Sequence, residues 1–125
     1  VLLAEDDDVL RQVLLLVLRR WGYSVVDVAD GAVALAVLLS PNAPRVAILD
    51  GQMPGLSGSE VCRRLRERGD ADTFIVLFTG NAELEDEWIA AEAGVNAMLP
   101  KPCDLECLRG VLLEATQRHE RHPWR

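Results

Sequence analysis

The sequence lacks long apolar runs and has few cysteines and aromatic residues. Its longest apolar run, from Val13 to Leu18, is far shorter than the ~18 residues that cross a bilayer. We therefore expect neither a membrane span nor a signal peptide. The three cysteines, Cys62, Cys103 and Cys107, are an odd count in no zinc or redox spacing. We interpret them as reduced thiols in a cytoplasmic protein.

Positive charge is also scarce, with 13 Lys and Arg against 20 Asp and Glu and a net charge of −7. This balance argues against nucleic acid as a direct ligand and suits a protein that collects Mg²⁺ or meets basic surfaces. No glycine-rich phosphate loop follows a strand. With 125 residues, half of them hydrophobic, we expect one globular domain over 1–119 and a tail over 120–125.

Strand and helix patterns alternate five times along the chain. Strands are predicted over 1–4, 24–29, 45–49, 74–79 and 96–99. Five helices are predicted. The first runs from Asp7 or Asp8 to 20, the second from 30 to before 41, and the third from Ser57 or Ser59 to near 69. The fourth covers 83–93 with Asn81 as a cap, and the fifth runs from Asp104 to about 119. This alternation indicates a parallel sheet with right-handed crossovers.

Polar side chains stand at the ends of four predicted strands. Glu5 and Asp6 follow the first strand, Asp50 directly follows the third, Thr79 ends the fourth, and Lys101 follows the fifth between two prolines. Open α/β sheets bind ligands beyond the carboxyl ends of their strands. Acids, a hydroxyl and an ammonium at this edge predict a site for Mg²⁺ and a phosphoryl group.

The acids carry this prediction, because three carboxylates close together repel one another unless a cation lies between them. Mg²⁺ takes a few carboxylate oxygens, often a backbone carbonyl, and retains waters that a phosphate can replace. Plainer interpretations exist for each residue alone. The acids are common at a helix start, Thr79 can be an ordinary strand-end residue, and Lys101 can be a surface lysine.

In order and spacing, these motifs resemble the receiver domain of bacterial two-component response regulators, and the chain is similar to the chemotaxis regulator of that group. The motifs are the acid pair, Asp-x-x-Met-Pro-Gly from Asp50, Thr-Gly from Thr79 and Lys-Pro from Lys101. The resemblance covers nearly the whole chain. It implies a single flavodoxin-like (βα)₅ fold, a doubly wound parallel sheet with strand order 2-1-3-4-5.

The resemblance also implies roles for the acids. Asp50 would be the phosphoacceptor. Asp6, Asp50 and the backbone carbonyl of Gln52 would hold Mg²⁺, and Glu5 would act through water. The implied function is a phosphorylation-controlled signalling switch, which phosphorylates and dephosphorylates only itself.

At the other strand ends, Thr79 and Lys101 would bind the phosphoryl oxygens, and the resemblance implies a cis Lys101–Pro102 bond. Met98 departs from the family pattern, because many receivers carry Tyr or Phe there. An aromatic side chain that swings inward as the threonine moves is therefore missing, and methionine can fill the gap in many rotamers.

The implied partner is a histidine kinase or a histidine phosphotransfer protein. The first helix has two apolar stripes. One is expected in the core and comprises Leu10, Leu14, Val17, Leu18 and Trp21. The other, Val9, Val13 and Leu16, is either a docking face for that partner or a set of scattered surface residues. We expect a monomer or weak dimer, since the acid-rich turn of many dimerising regulators is absent at 94–97.

Two other functions compete with a switch. A Mg²⁺-dependent phosphohydrolase with an aspartyl-phosphate intermediate would need a second acid two residues after the nucleophile, where Gln52 stands. A receiver-like scaffold that is never phosphorylated would not need the complete set of acids, hydroxyl and lysine.

Overall fold

The computed structural model describes residues 1–80, 84–102 and 104–120. Its five strands are all parallel and run in the order β2-β1-β3-β4-β5, as predicted. They are β1 (Leu2–Ala4), β2 (Val26–Val28), β3 (Val46–Asp50), β4 (Phe74–Thr79) and β5 (Ala97–Pro100). Within these described ranges, no helix has the length and apolar character needed to cross a bilayer.

Five helices connect and follow the strands: α1 (Asp8–Arg20), α2 (Gly31–Leu39), α3 (Gly58–Glu67), α4 (Leu84–Ala93) and α5 (Leu105–Glu120). Side chains of Asp7, Asp30 and Ser57 accept hydrogen bonds from the first free amides of α1, α2 and α3. Asp104 does the same for α5. The predicted cap of α4, Asn81, lies outside the described residues.

The second strand is shorter than the sequence indicates, covering Val26–Val28 and not 24–29. It is an edge strand, and its only neighbour, β1, pairs with it over Leu2–Ala4. The third strand has the predicted length but lies one residue later, at Val46–Asp50 and not 45–49, since Asp50 pairs with Phe78 of β4. The acid that the sequence places after β3 is therefore its last residue.

Two hydrophobic clusters cover the two faces of the sheet, because successive strand residues point to opposite sides. Leu2, Leu49 and Ile75 pack on the side of α2, α3 and α4. Leu3 and Ile48 pack on the side of α1 and α5. The predicted core stripe of α1 faces this second cluster with Leu14 and Leu18 buried, and the unassigned residue Leu15 is buried as well. Of the cysteines, Cys62 and Cys107 are free thiols, and Cys103 lies outside the described residues.

The loop from 51 to 57, which follows Asp50, packs tightly against the start of α2. The Gly31 amide donates to the Pro54 carbonyl at 3.0 Å. A Cβ atom on Gly31 would lie 1.9 Å from the carbonyl oxygen of Leu56. This contact requires glycine, so α2 fixes the position of the loop beside Asp50.

The guanidinium of Arg66 joins the end of α3 to the turn between α4 and β5. It donates to the Gly94 carbonyl at 3.0 Å, to the Thr73 carbonyl at 2.8 Å and to Oδ1 of Asn96 at 2.9 Å. It also lies 3.4 Å from Oδ1 of Asp70. One partly buried side chain therefore joins α3 to two segments, the loop before β4 and the turn before β5.

Replacing Arg66 by alanine should lower the free energy of unfolding by about 2 kcal/mol, because the carbonyl groups of buried Thr73 and partly buried Gly94 lose their donor. The matched control is Arg64→Ala on the same helix. Arg64 is 50% exposed and pairs with Glu60, whereas the Arg66 side chain is 19% exposed. An exposed pair contributes about 0.5 kcal/mol or less. Urea denaturation of both variants measures the difference, and equal losses would contradict the assigned role of Arg66.

Candidate functional site

The polar strand-end residues meet in one cleft at the carboxyl edge of the sheet, as predicted. The cleft has a volume of about 760 Å³. Its walls include every residue predicted for the site: Glu5, Asp6, Asp50, Gln52, Thr79, Met98 and Lys101. The parallel topology produces this convergence, since β1, β3, β4 and β5 all end at the same edge.

Glu5, Asp6 and Asp50 form a carboxylate cluster, in which one oxygen of each lies within 4.8 Å of the others. Glu5 is 1% exposed and Asp50 is 6% exposed, whereas Asp6 is open to solvent. Burial raises the pKa of Asp50, and the neighbouring Glu5 raises it further. Ionising all three acids of this cluster is therefore unfavourable, because the charges repel one another and two of the acids are buried. A bound cation would offset this repulsion.

Lys101 supplies one positive charge to this cluster. Its Nζ lies 2.6 Å from Oε1 of Glu5 and 3.2 Å from Oδ1 of Asp50. Burial alone would lower the pKa of Lys101, but hydrogen bonds and attraction from the two carboxylates outweigh that effect and raise it. The ammonium thus stays charged between them. The Lys101–Pro102 bond is cis, as predicted.

Backbone hydrogen bonds hold the loop residues around Asp50. The Gln52 amide donates to Oδ1 of Asp50 at 3.2 Å, and the Gly51 amide donates to the Phe78 carbonyl at 2.6 Å. The Lys101 amide donates to the Thr79 carbonyl at 2.8 Å. The Asp50 carboxylate, the Thr79 hydroxyl and the Lys101 ammonium therefore lie on segments that are hydrogen-bonded to one another.

The donor set fits a hard divalent cation. All three cluster residues offer carboxylate oxygens, and no sulfur or imidazole belongs to this group. Asp6 is exposed, so a bound ion would retain waters on the open side. Oxygen ligands with retained water suit Mg²⁺ and disfavour zinc or copper.

Three further residues lie at the cleft or directly behind it and were not predicted as site residues. Ser59 and Ile89 contribute to its walls. Arg11 lies below the acid pair and donates to the Glu5 carbonyl at 2.8 Å. The sequence does hold one indication of this role. Arg11 is a basic residue just over one helical turn after Asp6, and a side chain at this spacing can face back toward the strand end.

The second apolar stripe of α1 lies on the surface. Val9 is 75% exposed, Val13 is 50% exposed and Leu16 is 66% exposed. The predicted exposure of this stripe is confirmed.

Fold and site together define a doubly wound α/β domain with an acidic, lysine-bearing cleft at its strand ends. The chain belongs to the receiver domains of two-component response regulators, because the family model described as the response regulator receiver domain matches residues 1–113. Receiver domains of this family are phosphorylation-controlled switches.

Relatives of known name agree with this assignment. The transcriptional regulatory protein CseB of Streptomyces avermitilis is 36% identical over 104 residues, which are 83% of this chain and 43% of that protein. The response regulator MprA of Mycobacterium sp. strain KMS is 40% identical over 106 residues, which are 85% of this chain and 45% of that protein. The chain thus spans less than half the length of these relatives.

Solved structures show the same fold. Chemotaxis protein CheY4 of Vibrio cholerae has a TM-score of 0.78 at 30% identity, covering 94% of each chain. A DNA-binding response regulator of the LuxR family from Staphylococcus aureus has a TM-score of 0.83 at 26% identity, covering 91% of this chain and 95% of that one.

Proposed function

We propose that Asp50 is the phosphoacceptor of this receiver domain. The observation that carries the proposal is the position of its carboxylate, at the end of a central strand and 3.2 Å from the Lys101 ammonium. One oxygen of Asp50 would attack the phosphorus of a phosphohistidine in line. The P–N bond breaks, its electron pair returns to the imidazole, and the product is an acyl phosphate.

Lys101 and Thr79 would receive the transferred phosphoryl oxygens. Lys101 already faces the cluster, and its charge offsets the charge arriving on Asp50. Thr79 ends β4 beside the same cleft, so a small movement of its loop brings the hydroxyl to a new oxygen. Met98, on the wall of the cleft, would fill the space behind Thr79 in place of an aromatic ring.

Asp6, Asp50 and the Gln52 carbonyl are the proposed Mg²⁺ ligands, with Glu5 acting through water. Lys101 occupies one oxygen of Glu5 at 2.6 Å, which supports an indirect role for that acid. When bound, the ion supplies positive charge that offsets the negative charge on the transferring group.

Incubation with acetyl phosphate and Mg²⁺ tests the proposal. The domain should gain a single phosphoryl group that is stable in acid and labile in base, as acyl phosphates are. Mass spectrometry of the intact protein measures the gain, and excess EDTA should prevent it. A domain that stays unmodified with Mg²⁺ present would refute the proposal and favour a scaffold that is never phosphorylated.

The metal site makes its own prediction. Asp6→Asn should weaken Mg²⁺ binding by about tenfold, because a direct oxygen ligand is replaced by an uncharged amide. Asp7→Asn is the matched control, since Asp7 lines the same cleft but its carboxylate caps α1 through Val9 and Leu10. It removes the same charge while keeping a good cap. Calorimetric titration with MgCl₂ that found equal affinity in both variants would contradict the ligand assignment.

The phosphodonor is proposed to be a histidine kinase or phosphotransfer protein that docks on the exposed stripe Val9, Val13 and Leu16 of α1. The stripe begins two residues after Asp7, which lines the cleft. A partner seated on it would reach Asp50 without crossing the domain. Apolar residues at this spacing suit contact with another helix.

Leu16→Glu should slow phosphotransfer from the cognate histidine protein, because docking would desolvate a charge. Unfolding free energy should change by under ~0.5 kcal/mol, since the site is on the surface. Labelling by acetyl phosphate should be unaffected. Leu113→Glu on α5 is the control, because Leu113 is 49% exposed on a different helix. Equal slowing with both donors, or unfolding of the variant, would contradict the docking role.

The remaining proposals concern this domain as a unit. The receiver occupies 1–119, acts in the cytoplasm as a monomer or weak dimer, makes no direct contact with nucleic acid and turns over no substrate beyond its own acyl phosphate. Gln52 supports the last point, because it cannot protonate a leaving group as the second acid of a phosphohydrolase does. Release of phosphate from a phosphomonoester would contradict it.

A further inference from the structure

Arg11 lies on the first turns of α1, and its guanidinium extends back beneath the acid pair. Nη1 donates to the Glu5 carbonyl at 2.8 Å. The same group pairs with Asp8, and its Nε lies 3.5 Å from Oδ2 of Asp27 on β2. The side chain is largely buried. One planar fork therefore contacts the Glu5 carbonyl, Asp8 on its own helix and Asp27 on β2, which is a geometry that arginine provides and lysine does not.

The bond to the Glu5 carbonyl acts on the peptide unit that joins Glu5 to Asp6. This unit is planar, so fixing its oxygen fixes the direction in which the chain leaves toward Asp6. On the other side, the Glu5 amide donates to the Val28 carbonyl at 3.0 Å. Glu5 is thus held at both backbone groups and, through its carboxylate, by Lys101.

Asp6 depends on this backbone more than its neighbours do. Its side chain is exposed, whereas Glu5 and Asp50 are enclosed by protein. Its oxygen nevertheless lies within 4.8 Å of oxygens of both other acids. The orientation of the Glu5–Asp6 peptide therefore decides whether the exposed acid joins the cluster.

We propose that Arg11 is a positioning residue for the cation site, and that it orients the Glu5–Asp6 peptide so that Asp6 faces Asp50. The proposal rests on the proposed function only in taking this cluster as the Mg²⁺ site. Arg11 does not touch the ion. It acts through the carbonyl that it binds, as residues behind a metal ligand do.

The test compares Arg11→Met, Arg11→Lys and Asp27→Asn. Arg11→Met keeps an apolar stem but loses every donor, and Asp27→Asn removes one partner of Arg11 while leaving the bond to Glu5. Calorimetric titration with MgCl₂ alone should show about tenfold weaker binding for Arg11→Met, a smaller loss for Arg11→Lys, and a change within about twofold for Asp27→Asn. Labelling by acetyl phosphate should require more Mg²⁺ in Arg11→Met but reach the wild-type rate once Mg²⁺ saturates.

Urea denaturation without Mg²⁺ measures the unfolding free energy of each variant. This distinguishes a loss of Mg²⁺ affinity from a loss of folded protein. Arg11→Met that binds Mg²⁺ as tightly as wild type would overturn the proposal, whatever its stability. If Arg11→Met fails to fold, Arg11→Lys carries the same test, and unchanged affinity there would overturn it equally. Wild type that binds no Mg²⁺ would overturn the cation site itself. Wild-type binding that Arg11 variants leave intact would overturn only the role of Arg11.

Discussion

Asp50→Asn should abolish phosphoryl uptake from every donor, small molecule or histidine protein. The amide has nearly the shape of the carboxylate but lacks the nucleophilic oxygen, so no acyl phosphate can form. Folding should survive, because the change removes a charge from a buried site where burial raises the pKa of the acid. Intact mass after incubation with acetyl phosphate and Mg²⁺ is the measurement, and circular dichroism checks the fold.

Glu5, Asp6 and Asp7 are the other acids that line this cleft. Asp6→Asn should slow labelling at limiting Mg²⁺ without abolishing it, since it leaves the acceptor in place. Base-labile phosphate that persists in Asp50→Asn would show that one of these neighbours is the acceptor. Loss of labelling in Asp50→Asn together with retention in Asp6→Asn would separate the two roles.

Gly31→Ala should cost about 3 kcal/mol or more of unfolding free energy, because the new methyl group would overlap the Leu56 carbonyl and the backbone must move apart. A Cβ atom there would lie 1.9 Å from that oxygen. The shift would also disturb the loop beside Asp50, so phosphorylation should slow in any folded fraction. Urea denaturation measures the first effect and labelling by acetyl phosphate the second.

Gly110→Ala is the matched control for this substitution. Gly110 lies in the interior of α5 on its exposed side, and a Cβ atom there would meet nothing within 4 Å. Alanine should therefore stabilise the domain by roughly 0.5–1 kcal/mol through helix propensity. If both variants lost similar stability, the close contact between α2 and the loop would not be the cause at Gly31.

Sequence patterns predicted the parallel sheet and the polar strand-end residues of the cleft, because both follow from short-range features. Asp7, Asp30 and Asp104 each precede an apolar repeat and so indicate a helix start. Each of them caps its helix in the structure. Asp50 and Thr79 end apolar runs, and parallel strands bring such ends to one edge. The resemblance to receivers added the strand order and the role of each residue, which local patterns do not contain.

Contacts across the fold could not be predicted in this way. The approach of Gly31 to Leu56 depends on ångström-scale packing between a helix start and a distant loop. The reach of Arg11 to both Glu5 and Asp27 depends on how β2 sits beside β1. The shortening of β2 to Val26–Val28 has the same origin, because pairing with β1 limits the length of β2. The periodicity of apolar residues predicts which face of a helix or strand is buried. It contains no information about distances between segments that are far apart in the sequence.

The two borders of the sheet determine how this domain can associate. β2 at one border spans three residues and carries Asp27, and β5 at the other ends in Pro100, which has no amide hydrogen to offer. Short length, an acidic side chain and proline all discourage a foreign strand from extending a sheet. Self-assembly by strand addition is therefore disfavoured even at high concentration. Any complex that this domain forms should use its helices and loops, and its formation should leave the strand count unchanged.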